Sequence, residues 1–554
     1  MYCLNLAPVI RMRNPTYKIC ILGSLVLVLG GGFWLYPRQF HFTSEQHRSS
    51  IQVSVLPEAK IPETVELKNG DTYNLTAGMV KKTIAGHEVT MLAYNGSIPG
   101  PIIKVAKGAE VTINFTNKTD VPTTLHSHGV RLNNQFDGVP NATEKEVGIG
   151  ESFRYKLIFP DEGVYWYHPH VHEDYAQESG LYGNYIVEPT DASYWSKVNE
   201  EIPLMVDDIL LQDGRIPPFS TVTDHALMGR YGNVMLVNGT DHYRRQVKKG
   251  EVVRFYVTNA ANTRVFNLQI PGVKLKLVGS DNGRYEKETF VDTVLLAPSK
   301  RAVVEAFFDT PGTYSLEHTT PLKTYTMGTI TVLPDTALPS YAGEFHTLRT
   351  SDAIRKEIPN LDTYFGKPAD KKISLRVEMG SMHASGSHMM PNGQMMGSGG
   401  SHMMQDAPTS GNDSMMMGGS STEKIEWEDS MGTMNALSDS KMVTWKIIDQ
   451  ETGKANHDIH WNFKKGDLVK IKIYNDPTSM HPMQHPIHFH GQRFLVLSTN
   501  GIHNDNFAWK DTTLVQEGDT VEILVEMQNP GMWMAHCHIA EHLESGMMFD
   551  FTVE

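Results

Sequence analysis

One short phrase recurs three times along the chain and constrains its fold more than any other feature. The phrase opens on Lys-Gly, continues as an alternating apolar run and ends in Asn, at residues 107–117, 249–259 and 465–475. Such alternation is typical of a half-buried strand, and little of the chain carries the 3.6-residue apolar period of a helix. Three copies of this unit predict an all-β chain of three Greek-key β-sandwich domains.

The domain boundaries follow from the copies. A chain of 554 residues is too long for a single core, and the repeats place domains at residues 55–190, 198–336 and 345–554. An insert rich in Met and His interrupts the third domain at residues 379–435. The insert has no apolar period and few branched aliphatic residues, so we predict a loop.

The N-terminal segment indicates the compartment. Residues 19–36 form an apolar run with basic residues before it, and the run is long enough to cross a bilayer. The basic flank predicts that residues 1–18 are cytoplasmic and that everything after a linker at 37–54 is periplasmic or on the cell surface. A cleaved signal peptide is the alternative, although no Ala-x-Ala-like site follows the run.

The cysteine count and the net charge limit the kinds of site and partner that the chain can have. The cysteines are Cys3, Cys20 and Cys537, so the exported part would hold one thiol. A lone thiol in an oxidising compartment is a liability unless a metal occupies it. The net charge of −14 argues against a nucleic-acid partner.

The thiol lies in His536-Cys537-His538, which predicts two metal sites back to back. On a strand, successive side chains point to opposite faces, so Cys537 faces away from both histidines. His542 and Met547 follow closely enough to join the thiol, and His485 is the natural further ligand. A Cys, two His and a weak axial Met make a blue-copper electron-transfer site.

His536-Cys537-His538 closes the third copy of a second repeated phrase, at residues 163–170, 311–318 and 531–538, and the other two copies cannot build that site. The first copy has Pro169 in place of the cysteine, and the second has Glu317 in the first ligand position. We therefore expect the second domain to hold no copper and to act as a spacer between the other two.

Four His-x-His units predict a larger cluster. Residues i and i+2 of a strand share a face, so each unit aims two imidazoles the same way. Neutral imidazole is the commonest transition-metal ligand and suits copper. Four such units in the first and third copies supply eight imidazoles, enough for three copper ions with open positions for oxygen. The units are His126-Ser-His128, His168-Pro-His170, His488-Phe-His490 and His536-Cys-His538.

These motifs, from HSHG through WYHPH and HPIHFHG to HCHIAEHLESGM, resemble those of the multicopper oxidases. That superfamily comprises laccases and cuprous oxidases with three cupredoxin domains, and the likeness covers roughly residues 55–554. It implies four copper ions, one type 1, one type 2 and a type 3 pair. The implied type 1 ligands are His485, Cys537, His542 and Met547. The implied type 2 ligands are His126 and His488, and the type 3 ligands are His128, His168, His170, His490, His536 and His538.

The resemblance also implies a mechanism. A reductant gives one electron at a time to the type 1 copper, and Cys537 passes electrons to its flanking histidines. Four electrons and four protons then convert O2 to two waters. Asp137 matches the family's proton-relay acid, whereas Asp-Gly by itself also indicates a turn. Many bacterial members place a Glu where this chain has Leu543, so the second relay stays open, with Glu541 and Glu544 as candidates.

The many methionines of the third domain indicate which reductant the protein oxidises. Thioether sulfur prefers Cu(I), and the family's cuprous oxidases carry a Met-rich insert in the same domain. Possible substrate-copper ligands are Met480, Met483, Met389, Met390, Met403 and Met404. The insert also has the composition of a low-complexity linker whose methionines are only tolerated.

The sequence is compatible with three functions. The first is a membrane-tethered cuprous oxidase serving copper detoxification and homeostasis. The second is a laccase that oxidises phenols or aromatic amines, which Leu543 favours because fungal laccases share it. The third is a non-enzymatic copper carrier, against which the eight cluster histidines argue because a carrier needs no oxygen-reducing centre.

Overall fold

In the part of the chain that the structure describes, the strands form six sheets, which sort by sequence into three pairs. The computed structural model describes residues 53–140, 142–379 and 424–554. Each pair of sheets draws its strands from one continuous stretch of chain, and we call the three stretches the first, second and third module. The prediction of an all-β chain is confirmed.

The strands of the first module are β1 Thr64–Leu67, β2 Thr72–Ile84, β3 His87–Tyr94, β4 Ile102–Ala106, β5 Glu110–Lys118, β6 His126–His128, β7 Ser152–Ile158, β8 Gly163–His168 and β9 Gly183–Glu188. Those of the second are β10 Glu200–Ile209, β11 Val234–Val237, β12 Tyr243–Lys249, β13 Glu251–Asn259, β14 Phe266–Gln269, β15 Leu275–Ser280, β16 Gly283–Val291, β17 Val294–Leu296, β18 Arg301–Phe308, β19 Gly312–Thr319 and β20 Thr324–Thr336. Those of the third are β21 Lys371–Met379, β22 Val443–Asp449, β23 His460–Phe463, β24 Asp467–Asn475, β25 His485–Phe489, β26 Arg493–Thr499, β27 Ile502–His503, β28 Thr512–Val515, β29 Thr520–Met527, β30 Gly531–Cys537 and β31 Met548–Val553.

Helices are short throughout these ranges. They are α1 Glu173–Ala176, α2 Ala342–His346, α3 Ala353–Glu357, α4 Thr363–Gly366, α5 Gly432–Leu437 and α6 Ala540–Glu544, with single 3₁₀ turns at Val53–Val55, Asn134–Phe136 and Asn456–Asp458. Within the part of the chain that the structure describes, no helix has the length and apolar character needed to cross a membrane. The predicted anchor at 19–36 lies outside the described residues and stays a prediction.

The second and third modules share one strand order. Their sheets run β11-β10-β13-β18-β15-β16 with β12-β20-β19-β14-β17, and β22-β21-β24-β29-β26-β27 with β23-β31-β30-β25-β28. The first module is smaller, with sheets β1-β4-β9-β8-β6 and β3-β2-β5-β7. In every module the second repeated phrase forms a strand, β8, β19 or β30, in the sheet other than the one that holds the first phrase.

The first repeated phrase forms the equivalent strand in each module. Strands β5, β13 and β24 each pair with a parallel partner on one side and an antiparallel partner on the other. The Gly before each strand has a positive φ, +83° at Gly108, +78° at Gly250 and +94° at Gly466. A Cβ at any of the three would meet no atom within 4 Å, so backbone conformation and not space explains the glycine.

The Asn at the end of the phrase anchors a loop. Its side-chain amide donates to two backbone carbonyls in each module. In the third module Asn475 Nδ2 lies 2.7 Å from the carbonyl oxygen of Met483 and 3.1 Å from that of Val515. This bond fixes the turn that delivers His485 to β25.

The first and third modules share one hydrophobic interior. A single cluster of buried residues includes Phe115 and Leu125 of the first module and Phe489 and Trp533 of the third. The second module has a separate core. Because the shared interior is continuous, it holds β6 and β8 against β25 and β30, the strands that carry the four His-x-His units.

Candidate metal centres

Strand β30 brings the thiol to two imidazoles. Cys537 Sγ lies 3.6 Å from His485 Nδ1 and 3.8 Å from His542 Nδ1. His485 comes from β25, which pairs with β30, and His542 comes from α6, which follows β30 directly. The three ligand atoms lie within 4.8 Å of one another, and all three side chains are buried.

Buried side chains and backbone hydrogen bonds enclose this thiol site. The indole of Trp445 stacks on the His542 ring at 4.0 Å between centroids and lies 4.8 Å from the His485 ring. Met547 is fully buried, and its backbone bonds to both Cys537 and His542. Burial lowers the pKa of His485 to about 3 and raises the pKa of the Cys537 thiol well above its usual range. A thiol in this setting ionises when a metal binds to it.

The opposite face of β30 belongs to a second and larger cluster. His536 and His538 join six imidazoles from β6, β8, β25 and the turns that follow these strands. In register, His126 is the partner of His168, and His488 is the partner of His536. Triplets of ligand atoms within 4.8 Å of one another include His126, His128 and His168; His126, His488 and His490; and His170, His490 and His536.

Hydrogen bonds select which nitrogen of each ring faces the cluster. Nδ1 of His126, His168, His488 and His536 lies 2.6–2.8 Å from a backbone carbonyl oxygen, which leaves Nε2 to face inward. His128 is reversed, because its Nε2 bonds to Asp511 and its Nδ1 is free. Fixing one ring nitrogen in this way is how proteins orient metal-ligating histidines.

The free nitrogens fit a metal. Buried ring nitrogens without a hydrogen-bond partner include one each on His126, His128, His168, His170 and His488, and both on His538. Nε2 of His490 and Nε2 of His536 face each other at 3.0 Å. Burial and neighbouring imidazoles lower the pKa of seven histidines of the cluster, to about 4 for His490 and well below the usual value for His128, His168, His170, His488, His536 and His538. Neutral rings with unshared lone pairs are the state in which imidazole binds a metal.

Asp137 lies beside this cluster. Its Oδ2 accepts from His490 Nδ1 at 2.8 Å, and its Oδ1 is 3.4 Å from His126 Nδ1. Burial opposes its ionisation, but the two imidazoles outweigh burial and lower the pKa of the carboxyl well below its usual range. Gly138 follows with a φ of +82°, so Asp-Gly is a turn as well as a contact to the cluster.

The structure adds an acid that the motifs did not indicate. Glu173, at the start of α1, is buried, and its Oε1 lies 3.1 Å from His168 Nδ1 and 4.0 Å from His538 Nε2. The relay candidates Glu541 and Glu544 are on the neighbouring helix α6, where Glu544 Oε1 accepts from the backbone N–H of Glu173 at 3.1 Å. Burial raises the pKa of all three carboxyls, to about 7 for Glu541. Only the sequence proximity of Glu173 to His170 could have suggested it.

The methionines predicted to bind substrate copper differ in their burial. Met483 is buried two residues before His485, whereas Met480 is 69% exposed. Met389, Met390, Met403 and Met404 lie outside the described residues. Leu543, which directly follows His542, packs with Val139 and Met534.

Multicopper oxidase profiles match the chain at residues 76–192, 166–335 and 427–554. Together these matches cover more than half of the chain and all three modules. The chain belongs to the multicopper oxidase family. It is therefore an oxidase enzyme, its family uses copper, and its sheets are cupredoxin-like.

Relatives of this multicopper oxidase have differing names. A copper resistance protein A homologue of Pseudomonas syringae pv. tomato is 23% identical, covering 88% of this chain and 93% of its own. Laccase-1 of Botryotinia fuckeliana is 26% identical, covering 83% of this chain and 78% of its own. The structure of a multicopper oxidase from Campylobacter jejuni, described as a metallo-oxidase, has a TM-score of 0.62 at 23% identity, covering 90% of this chain and 98% of its own.

Proposed function

We propose that this multicopper oxidase oxidises Cu(I) and couples four such oxidations to the reduction of O2 to two waters, serving copper detoxification. The burial of His485 and His542 carries the proposal, because both imidazoles are 0% exposed. A phenol ring would need an exposed imidazole edge to dock on. The buried thioether of Met483, two residues before His485 in the chain, offers instead a soft ligand for a small monovalent ion.

The assignment of ligands follows the two clusters. His485, Cys537, His542 and Met547 would hold a type 1 copper, and His126 and His488 a type 2 copper. His128, His168, His170, His490, His536 and His538 would hold a type 3 pair. Copper bound at these sites supplies one-electron redox chemistry and oxygen reduction.

The chain's own residues connect the two sites and manage protons. Cys537 lies in the thiol site, while His536 and His538, the residues bonded to it, lie in the histidine cluster. In addition, Nδ1 of His536 donates to the carbonyl oxygen of Cys537 at 2.8 Å. The two sites are thus joined by both a covalent and a hydrogen-bonded route. Asp137 holds the proton of His490 Nδ1, and Glu173 is positioned to deliver a proton beside His168.

Replacing Met483 with leucine is expected to raise the KM for Cu(I) on the order of tenfold, since a ligand is lost while volume is kept. Oxidation of a phenol should be unchanged. Oxygen uptake by the copper-loaded protein, with Cu(I), Fe(II) and a phenol in parallel, measures both. Met527→Leu, a buried methionine of the same hydrophobic cluster, is the matched control. An unchanged KM for Cu(I) would count against the proposal, as would faster turnover of the phenol than of Cu(I) in the wild-type protein.

Deleting residues 380–417 tests the insert separately. With a Gly/Ser linker in its place, Cu(I) oxidation should fall sharply while phenol oxidation is spared, because the methionines that capture Cu(I) are gone. Steady-state oxygen uptake at limiting Cu(I) measures this. If neither rate changes, the insert does not capture copper.

We extend the proposal to location, with the three modules outside the cytoplasm and residues 19–36 as their anchor. The position of Cys537 supports this, because it is the one cysteine among the described residues and is buried between two imidazoles. A bound metal would protect such a thiol from oxidation.

A further inference from the structure

A buried arginine of the second module reaches the histidine cluster. Arg301 opens β18, and its side chain is fully buried. Its Nη1 donates to Asp511 Oδ1 at 2.8 Å, and its Nη2 donates to Asp511 Oδ2. Its Nε donates to the carbonyl oxygen of Val164 in the first module at 2.9 Å. The Arg301 side chain, which belongs to the second module, thus donates hydrogen bonds to residues of the first and third modules.

Asp511 in turn touches two histidines from different modules. Its Oδ1 lies 3.1 Å from Nε2 of His128, in the first module. Its backbone carbonyl oxygen lies 2.8 Å from Nδ1 of His488, in the third. Thr512 Oγ1 donates to the same Oδ1 at 3.0 Å, so the carboxylate is fully engaged.

The contact to Asp511 explains why His128 presents Nδ1, and not Nε2, to the cluster. Four of the eight cluster rings bond to a backbone carbonyl through Nδ1, but His128 bonds to a carboxylate through Nε2 and leaves Nδ1 free. The glycine that ends the HSHG motif makes room for this. Gly129 has a φ of +80°, and a Cβ there would overlap the Asp511 carboxylate.

We propose that Arg301 and Asp511 form a clamp that positions His128 and His488 for copper. Arg301 fixes the carboxylate at two points, which a lysine could not do. The carboxylate then holds the proton on His128 Nε2 and aims Nδ1 into the cluster. The second module, expected to hold no copper of its own, contributes a positioning residue to the copper cluster of the other two. This inference rests on the proposed ligand assignment.

A second buried pair in the same sheet provides a matched control. Arg254 of β13 donates to Glu305 of β18 at 2.7 Å, and both side chains are almost fully buried. Among the described residues, Arg254 donates to Glu305, Glu201 and the backbone carbonyl of Ser196, and none of these is a histidine of the cluster. Removing Arg254 therefore reports the cost of breaking a buried ion pair in the second module without touching the clamp.

The test compares Arg301→Met, Asp511→Asn and Arg254→Met in the full-length protein. Copper per chain is measured during titration with a chelator, together with the visible thiolate-to-copper band and the electron paramagnetic resonance signals. We expect both clamp variants to bind cluster copper about 10–100-fold more weakly while keeping the thiolate band. Arg254→Met should bind copper as the wild type does. The double variant Arg301→Met/Asp511→Asn should lose no more than either single variant, because the two residues act as one unit.

Several results would overturn the clamp. Full cluster copper in Asp511→Asn would do so even if Arg301→Met failed to fold. Arg301 would have only a general stabilising role if Arg254→Met lost as much cluster copper as Arg301→Met does. The same conclusion would follow if the clamp variants lost the thiolate band together with the cluster copper. These readouts use no substrate, so a failure of the clamp is distinct from a failure of Cu(I) as the reductant. A wild-type protein that binds no cluster copper would instead refute the ligand assignment.

Discussion

Replacement of Cys537 with serine is expected to abolish both the blue colour and turnover with every reductant. The colour of a blue-copper site arises from its thiolate, and a serine hydroxyl is a hard, poorly ionising ligand for copper. Cys537 holds its sulfur in one candidate site and is bonded to histidines of the other, so electrons from any donor would lose this route. Visible absorption, copper analysis and oxygen uptake on the purified variant measure the three consequences.

The cluster histidines should keep their copper in this variant, because Cys537 faces away from them. Copper content should therefore fall by the type 1 ion alone. Ala535→Ser is a suitable control, since it adds a buried hydroxyl two residues earlier on the same face of β30 and should stay blue. A Cys537→Ser protein that retained its colour or its turnover would contradict the assignment of the thiol site.

Removing the Asp137 carboxylate should have the second-largest effect. Asp137→Ala leaves Nδ1 of His490 without its 2.8 Å acceptor and leaves the imidazole of His126 without a negative neighbour. We expect reoxidation by O2 to slow about 10–100-fold, while anaerobic bleaching of the blue band by Cu(I) proceeds at the wild-type rate. Stopped-flow absorption separates the two half-reactions.

Asp137→Asn divides the possible roles of this acid. The amide oxygen can still accept from His490 Nδ1, but it carries no charge and relays no proton. Impairment equal to that of Asp137→Ala assigns the effect to charge and proton transfer. Recovery of the wild-type rate assigns it to orientation of the ring. Normal reoxidation in Asp137→Ala would remove Asp137 from the oxygen-reducing step.

Local patterns in the sequence were enough to foresee much of this architecture. Strand alternation has a period of two, so His536 and His538 had to share a face that Cys537 does not. The repeated Lys-Gly and Asn mark a turn with positive φ and a loop anchor, both of which are local requirements. The all-β fold followed from the same repeats.

The supporting residues belong to no motif, so they could not be foreseen. Arg301 meets Asp511, and Asp511 meets His128, only once separate modules have docked. Glu173 lies close to His168 in the chain, but a carboxyl at that spacing has no pattern that marks it as a neighbour of the cluster. The burial of His485 and His542 likewise depends on packing that no spacing reveals. Sequence reasoning therefore found the candidate ligands and missed the groups that hold them.

The two candidate sites differ in the span of chain that must come together before they exist. His485 and His542 lie 52 and 5 residues from Cys537, so the thiol site is complete within the third module. Asp137 and His490 are 353 residues apart, and their contact requires the first and third modules to be joined. A variant whose first and third modules dock poorly is therefore expected to lose the histidine cluster before it loses the thiol site.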